Sequence, residues 1–258
     1  MKITVFTSDQ PRHRSLVNKI STEVSECYAI IEKTSHHPGV ESNTYGNSQL
    51  MRDYFKHVQT AERKFFHEEV IHSKSLSIEM GSINNLEHRD IKSYLSSDIY
   101  LVFGSSYIKG WLADVLFKND AINIHLGIAP FYRGSSCNFW AIYDNNPHLV
   151  GATVHKLAKK LDSGDLLLNA YPTVDNCQNI FEFSMKSVVS IQDKLLKSIS
   201  EGLIREIDST PQDPNTEIRY SKKAEFTEDV VKEYYQKNLN IETIAKTIEE
   251  KQNNRLNL

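Results

Sequence analysis

A chain of 258 residues carrying 30 Lys and Arg against 33 Asp and Glu has a formal charge of −3 with acids and bases well mixed, which gives no electrostatic case for a nucleic-acid or membrane-surface partner. Its three cysteines (Cys27, Cys137, Cys177) form no C-x-x-C pair and leave an odd thiol, which argues against a disulfide framework or structural zinc and for a reducing compartment. The opening MKITVFTSDQ soon turns polar and no window approaches the roughly 20 apolar residues of a membrane span, so a cytoplasmic protein acting on a small molecule is expected.

Residues 2–7 (KITVFT) predict a strand, and a helix follows from Arg12 with Leu16 and Ile20 facing inward. A second strand is expected over 25–32. The segment KTSHHPGVESNTYGNS after it has loop composition, and His36 and His37 within it are read as solvated. From Gln49, the series Leu50, Tyr54, Val58, Ala61, Phe65 has the spacing of an amphipathic helix. HEEVIH (67–72) looks like a metalloprotease motif at a glance. Its histidines, however, are five apart, roughly 140° around a helix, so they share no face and no metal is expected there.

The continuous apolar run over 98–104 is of the kind buried on both faces of a parallel sheet. A helix over 107–117, a strand over 121–125, strands over 151–157 and 165–174, and a long helix marked by Phe181, Met185, Val188, Ile191, Leu195 and Ile199 complete the pattern. Strands alternating with helices predict an α/β fold, a Rossmann-like open and mostly parallel sheet flanked by helices, over residues 1–204. Ligands of such sheets collect at the carboxyl ends of the strands. Beyond Ile204 the chain changes character: a turn-rich linker (STPQDPNTE), a short edge strand in RYSKKAEF, and two polar helical stretches, 230–235 and 241–250. Residues 205–258 are therefore read as a small C-terminal helical extension. Its apolar positions suit either a homodimer contact or docking onto the chain's own domain.

The stretch INIHLGIAPFYRGSSCNFW (122–140) places Asn123 and His125 on one face of a strand, with Ile122 and Ile124 on the other. A third polar group, Asp162, stands in the L-D-S-G turn between two strands. An amide, an imidazole and a carboxylate suit acyl transfer to an amine. Hydrogen-bond donors hold the oxygen that turns anionic, and a histidine near neutrality moves the protons. Taken alone, Asn123 and His125 read more readily as hydrogen-bonded core polars or strand-end caps than as functional groups. His155 is read as a structural histidine bracing the loop, and Phe139 and Trp140 as core.

The pattern N-x-H-x-G-x-x-P-x-Y-R-G (NIHLGIAPFYRG, 123–134), followed by GATVHK (151–156) and LDSGD (161–165), resembles the 10-formyltetrahydrofolate-dependent formyltransferase family, most closely the sugar N-formyltransferases. The resemblance covers 98–175 most specifically. It implies that Asn123, His125 and Asp162 are the catalytic trio and that 10-formyltetrahydrofolate is the formyl donor, without a metal. It also implies a pterin-binding loop in VFGSSYI (102–108), with Ile108 and the backbone of Ser106 and Tyr107 on one side of the ring and Lys160 and Leu161 on the other. The Asn123-to-Asp162 spacing is one residue longer than the family pattern, an extra residue in the AKK loop.

Within that family, tRNA-formylating enzymes carry an additional basic domain, whereas residues 201–258 hold twelve acidic and nine basic residues. Glycinamide ribonucleotide enzymes carry a glycine-rich turn after the first strand, and this chain has SDQPRH there. Hydrolases of the donor carry an N-terminal regulatory domain, and this sequence opens on the first strand. The expected acceptor is a nucleotide-linked amino-dideoxyhexose for surface polysaccharide, with Arg12, His13 and Arg133 as candidate substrate contacts. Formylation of another small amine, hydrolysis of the donor, and an inactive folate-binding module remain the alternatives.

Overall fold

The computed structural model describes residues 1–33 and 48–256, so the expected loop with His36 and His37 lies outside the described residues. β1 (Lys2–Ser8), α1 (Pro11–Glu23) and β2 (Glu26–Lys33) open the chain. Pro11 starts α1 at a position whose N–H has no intrahelical partner. α2 (Gln49–Phe65) begins at Ser48, whose hydroxyl accepts the Met51 N–H at 3.2 Å. β3 (Lys74–Glu79), a single-turn α3 (His88–Ile91), β4 (Ile99–Phe103), α4 (Gly110–Lys118) and β5 (Ile122–His125) follow. Then come β6 (Tyr132–Gly134), α5 (Cys137–Tyr143), β7 (Ala152–Lys156), β8 (Leu166–Ala170) and α6 (Ile180–Ser200). The chain closes with β9 (Arg219–Ser221), α7 (Glu228–Gln236) and α8 (Ile241–Leu256).

Seven strands form one sheet in the order β3-β2-β1-β4-β5-β7-β8. The first five run parallel, and β7 and β8 are antiparallel to their neighbours. This is the Rossmann-like α/β fold. Both faces are covered: Ile3 and Val5 of β1 join Leu16, Ile20, Val188 and Ile191 of α1 and α6, and Phe6 joins Leu112 and Leu116 of α4 on the other side. The strand order reverses beside β1, where β4 lies on the side opposite β2. Such a reversal opens a crevice at the carboxyl ends of the strands.

Two strands escape the sequence reading. β3 was legible in principle, since Leu76 and Ile78 alternate with polar residues in KSLSIE. β6 is three residues long, and its partner β9 is distant in the chain. Gly134 of β6 has φ +92°, and a Cβ there would meet the Ser221 carbonyl oxygen at 2.0 Å, so that pairing requires glycine. The helix expected from Tyr107 starts only at Gly110. Residues 67–72 form no helix: the Asn18 amide donates to Glu69 and to the Val70 carbonyl at 2.9 and 2.8 Å.

The terminal helices dock on their own domain. Tyr234 of α7 lies 4.6 Å from Phe139 and 6.4 Å from Tyr54, ring centre to ring centre, within a cluster that includes Trp140, Phe226, Val231 and Ile244. Arg219 fixes the approach to them, stacking 4.3 Å over Trp140 and pairing with both oxygens of Asp144. Among the described residues no helix is long and apolar enough to cross a membrane.

Candidate active site

Three elements of the sheet's carboxyl end bring Asn123, His125 and Asp162 together. β5 supplies the first two. β7 pairs antiparallel with β5 so that Asn123 stands opposite His155, and a register shift between Val154 and His155 re-aims the latter. Asn123 Nδ2 is 3.1 Å from His155 Nε2, and His155 Nδ1 lies 2.8 Å from the Lys156 carbonyl oxygen.

The turn after β7 carries Asp162 in the left-handed region (φ 51°). Gly164 lets that turn lie flat on β7, because a Cβ there would meet the Lys156 oxygen at 1.8 Å. Asp162 Oδ2 then stands 3.4 Å from His125 Nδ1, and Oδ1 stands 3.6 Å from His155 Nε2. The Gly134 N–H donates to Oδ2 at 3.1 Å. His125 Nε2 donates to the Tyr132 carbonyl at 3.0 Å. His125, His155 and Asp162 are all buried.

Burial pushes the His125 pKa below its ordinary value, against the opposing pull of Asp162. Asp162 is pushed up by burial, but His125, His155 and the Gly134 N–H outweigh this and hold its carboxyl below the usual range. A neutral imidazole beside an ionised carboxylate follows at neutral pH. Cys137, close by, is buried, and burial first and the Asp162 charge second push its thiol far up.

The trio separates two openings. His125 faces a cavity of about 310 Å³ walled by Arg12, Tyr54, Phe181, Phe226 and Tyr234. Asn123, His155 and Asp162 face a cleft of about 90 Å³ walled by residues 104–108, Leu157 and Leu161. The Tyr107 hydroxyl donates across the mouth of that cleft to the Lys159 carbonyl at 3.0 Å. Met80, Tyr107 and Leu161 leave apolar surface exposed.

Several expected contacts are placed otherwise. His13 is buried, its Nδ1 2.5 Å from Ser8 Oγ and its ring 4.4 Å from Phe103, and it lines neither opening. Arg133 is buried and its guanidinium is engaged by Glu217, which joins β6 to the extension. Ser106 lines the cleft, and its N–H is committed to Glu32 at 2.5 Å. Lys160 is solvent-exposed and off the cleft wall, whereas Ile108 and Leu161 line it. Arg12 lines the larger cavity while paired with Glu62 at 2.8 Å. Sequence reasoning undervalued His155, which touches both Asn123 and Asp162, although GATVHK pointed to it. Phe226 and Tyr234 reach the cavity only through tertiary packing.

Residues 111–206 match the family described as formyl transferase. That match covers 96 of the 258 residues. The matched stretch contains Asn123, His125 and Asp162. Among curated proteins, the bifunctional polymyxin resistance protein ArnA of Wigglesworthia glossinidia brevipalpis is 31% identical over 134 residues, 50% of this chain and 20% of that protein. A methionyl-tRNA formyltransferase of Streptococcus equi is 28% identical over 93 residues, 36% of this chain and 30% of that one. The matched stretches thus span less than a third of these curated relatives.

Among solved structures, a 4-N formyltransferase from Francisella tularensis shares 19% identity with a TM-score of 0.56, over 87% of this chain and 77% of that one. An N-formyltransferase from Helicobacter canadensis with folinic acid and dTDP-3-aminofucose shares 14%, TM-score 0.55, over 88% and 73%. The formyltransferase PseJ from Anoxybacillus kamchatkensis, with tetrahydrofolate and UDP-4,6-dideoxy-4-formamido-L-AltNAc, shares 16%, TM-score 0.50, over 96% and 100%. At these identities the likeness establishes a common fold.

Proposed function

We propose that the chain moves a formyl group from 10-formyltetrahydrofolate to the amine of a nucleotide-linked amino sugar. The observation that carries this reading is the partition. The His125 imidazole and the Asp162 carboxylate stand between an aromatic cavity and a separate cleft, each with one side of the trio as its wall. That arrangement presents donor and acceptor to the same carbon from opposite sides.

The donor enters here as a substrate. At about 90 Å³ the cleft is below the roughly 300 Å³ of ordinary ligand sites, so admission of a pterin requires the Tyr107–Lys159 bridge to part. Ile108 and Leu161 would then flank the ring, and the exposed Met80 and Tyr107 the part beyond it. The acceptor nitrogen bonds to the formyl carbon, and the bond from that carbon to the folate nitrogen breaks. Asn123 donates to the oxygen that becomes anionic, and the His125 Nε2–H joins it by leaving the Tyr132 carbonyl. His125 takes the proton released by the amine and delivers it to the departing folate nitrogen, with Asp162 orienting the ring and stabilising its charged form. In this reading residues 1–204 form the catalytic domain, and residues 205–258 close the acceptor side through Phe226 and Tyr234.

A second reading, formylation of methionyl-tRNA, draws support from the curated relatives of that name. The excess of acidic over basic residues beyond position 200 disfavours it. The test mixes the protein with 10-formyltetrahydrofolate and a panel of nucleotide-linked amino sugars and follows tetrahydrofolate release. Acceptor-dependent release supports the proposal. Release without acceptor indicates a hydrolase, and tight folate binding with silence toward every acceptor indicates a binding module.

A further inference from the structure

Behind the cleft wall lies a set of polar groups that the chemistry does not use. Glu32, at the carboxyl end of β2, is 0% exposed. Its two oxygens are divided between two loops: Oε2 accepts the Ser106 N–H at 2.5 Å and Oε1 accepts the Gly81 N–H at 2.8 Å. Asn84, in the turn after β3, uses both ends of its amide on the same wall. Nδ2 donates to the Tyr107 carbonyl at 2.9 Å, and Oδ1 accepts the Lys109 N–H at 2.7 Å. Ser106 Oγ adds a contact to Met80 Sδ at 3.3 Å. These bonds hold residues 106–109 in a non-helical path, which is why α4 starts only at Gly110.

We infer that Glu32 and Asn84 are positioning residues for the donor: a clamp that the β2–β3 edge of the sheet applies to the back of the donor loop, fixing Ile108 and Tyr107 at the cleft without touching a ligand. Neither residue lines the cleft or the acceptor cavity. The geometry gives the clamp a one-sided character. A buried carboxylate with two backbone donors is costly to leave half satisfied, so the loop's position is set by the far edge of the sheet. Its loosening disturbs the donor wall while the acceptor wall, built from α2, α6 and residues 226–234, stays as it is.

The inference rests on the folate-dependent reading above, and its test separates the two. Folinic acid, a stable formylated folate, is titrated into the full chain by calorimetry, and KM is measured for donor and acceptor in turn. Asn84 is exposed, so Asn84→Ala leaves the fold intact, and melting temperature checks this. Asn84→Ala and Glu32→Gln are expected to weaken folinic acid and raise donor KM by about tenfold, the equivalent of one lost hydrogen bond of the stronger kind, with acceptor KM within about twofold. Asn84→Asp, which keeps the acceptor for Lys109 and loses the donor to Tyr107, is expected to fall between wild type and Asn84→Ala. Folded variants with unchanged donor KM, or equal effects on both substrates, overturn the clamp alone. Wild-type protein that binds no folinic acid overturns the folate reading and the clamp with it.

Discussion

Asp162 Oδ2 stands 3.4 Å from His125 Nδ1, while the opposite nitrogen of that ring is bonded to the Tyr132 carbonyl at 3.0 Å. The ring is thus held between a charge and a dipole, neutral at rest and stabilised when it takes a proton. A carboxylate in this place lowers the cost of the imidazolium during proton transfer without becoming protonated itself.

Asp162→Asn tests that division of labour. The variant keeps an oxygen for the Gly134 N–H and loses the charge. Turnover is expected to fall by about 10²–10⁴-fold with folinic acid affinity within a few-fold, since the lost interaction acts when the ring becomes charged. His125→Ala is expected to lose at least as much. Steady-state rates near wild type in both variants would remove the trio from the mechanism.

The trio's residues were legible because two polar side chains at spacing two on an apolar strand require a reason, and the Gly and Pro residues around them mark the turns. The strands 2–7 and 98–104 and the long helix ending near Ile199 were legible for a related cause: unbroken apolar periodicity is a local property. Partners that lie far apart in sequence were not. Arg133 reads as a substrate contact until Glu217 is brought to it, and His13 reads as one until Phe103 packs against it. Neither partner leaves a signal near the residue it neutralises or buries.

Arg133 therefore predicts stability and not substrate affinity. Its side chain is buried against Glu217, whose carboxylate is partly exposed. Removing the arginine strands an acid beside the β6–β9 pair, and Arg133→Ala is expected to destabilise the fold by about 2–4 kcal/mol, nearer the buried than the surface range for ion pairs. Arg133→Ala combined with Glu217→Gln should recover part of that loss, a coupling readable from urea denaturation of the two single variants and the double. Donor and acceptor KM measured on whatever remains folded should be little changed. A selective rise in acceptor KM would restore Arg133 to the substrate site.

The pH response follows from the buried histidines. Burial holds His125 below its ordinary value and His13 well below it. Between each folded value and the unfolded one near 6.5, the unfolded chain binds more protons than the native one. Stability from these groups is complete above about pH 6.5 and is lost as pH falls through the folded values. Asp162, with its net downward shift, acts in the same sense in a lower range, below about 4. Urea midpoints are expected to fall steadily from pH 7 to pH 5, and His13→Gln should flatten that slope whatever its effect at pH 7. Activity should rise through the depressed His125 value and level before neutrality, because the ring must start neutral to accept the amine's proton. A urea midpoint independent of pH down to 5 would mean that these rings carry no depressed pKa.

The mouth of the donor cleft yields the last expectation. The Tyr107 hydroxyl reaches the Lys159 carbonyl at 3.0 Å, yet the side chain is 52% exposed. A surface hydrogen bond of this kind contributes about 0.5–1.5 kcal/mol, enough to bias a closed arrangement over an open one by up to about tenfold. Tyr107→Phe keeps the ring and deletes the bond. If the bond holds the cleft shut, the variant starts nearer its open form and binds folinic acid several-fold more tightly, with a faster association rate and the same acceptor KM. If the hydroxyl instead bonds to the donor once inside, affinity falls and association is unchanged. Stopped-flow binding separates the two outcomes, because opening limits how fast the ligand enters and a contact made afterwards governs only how fast it leaves.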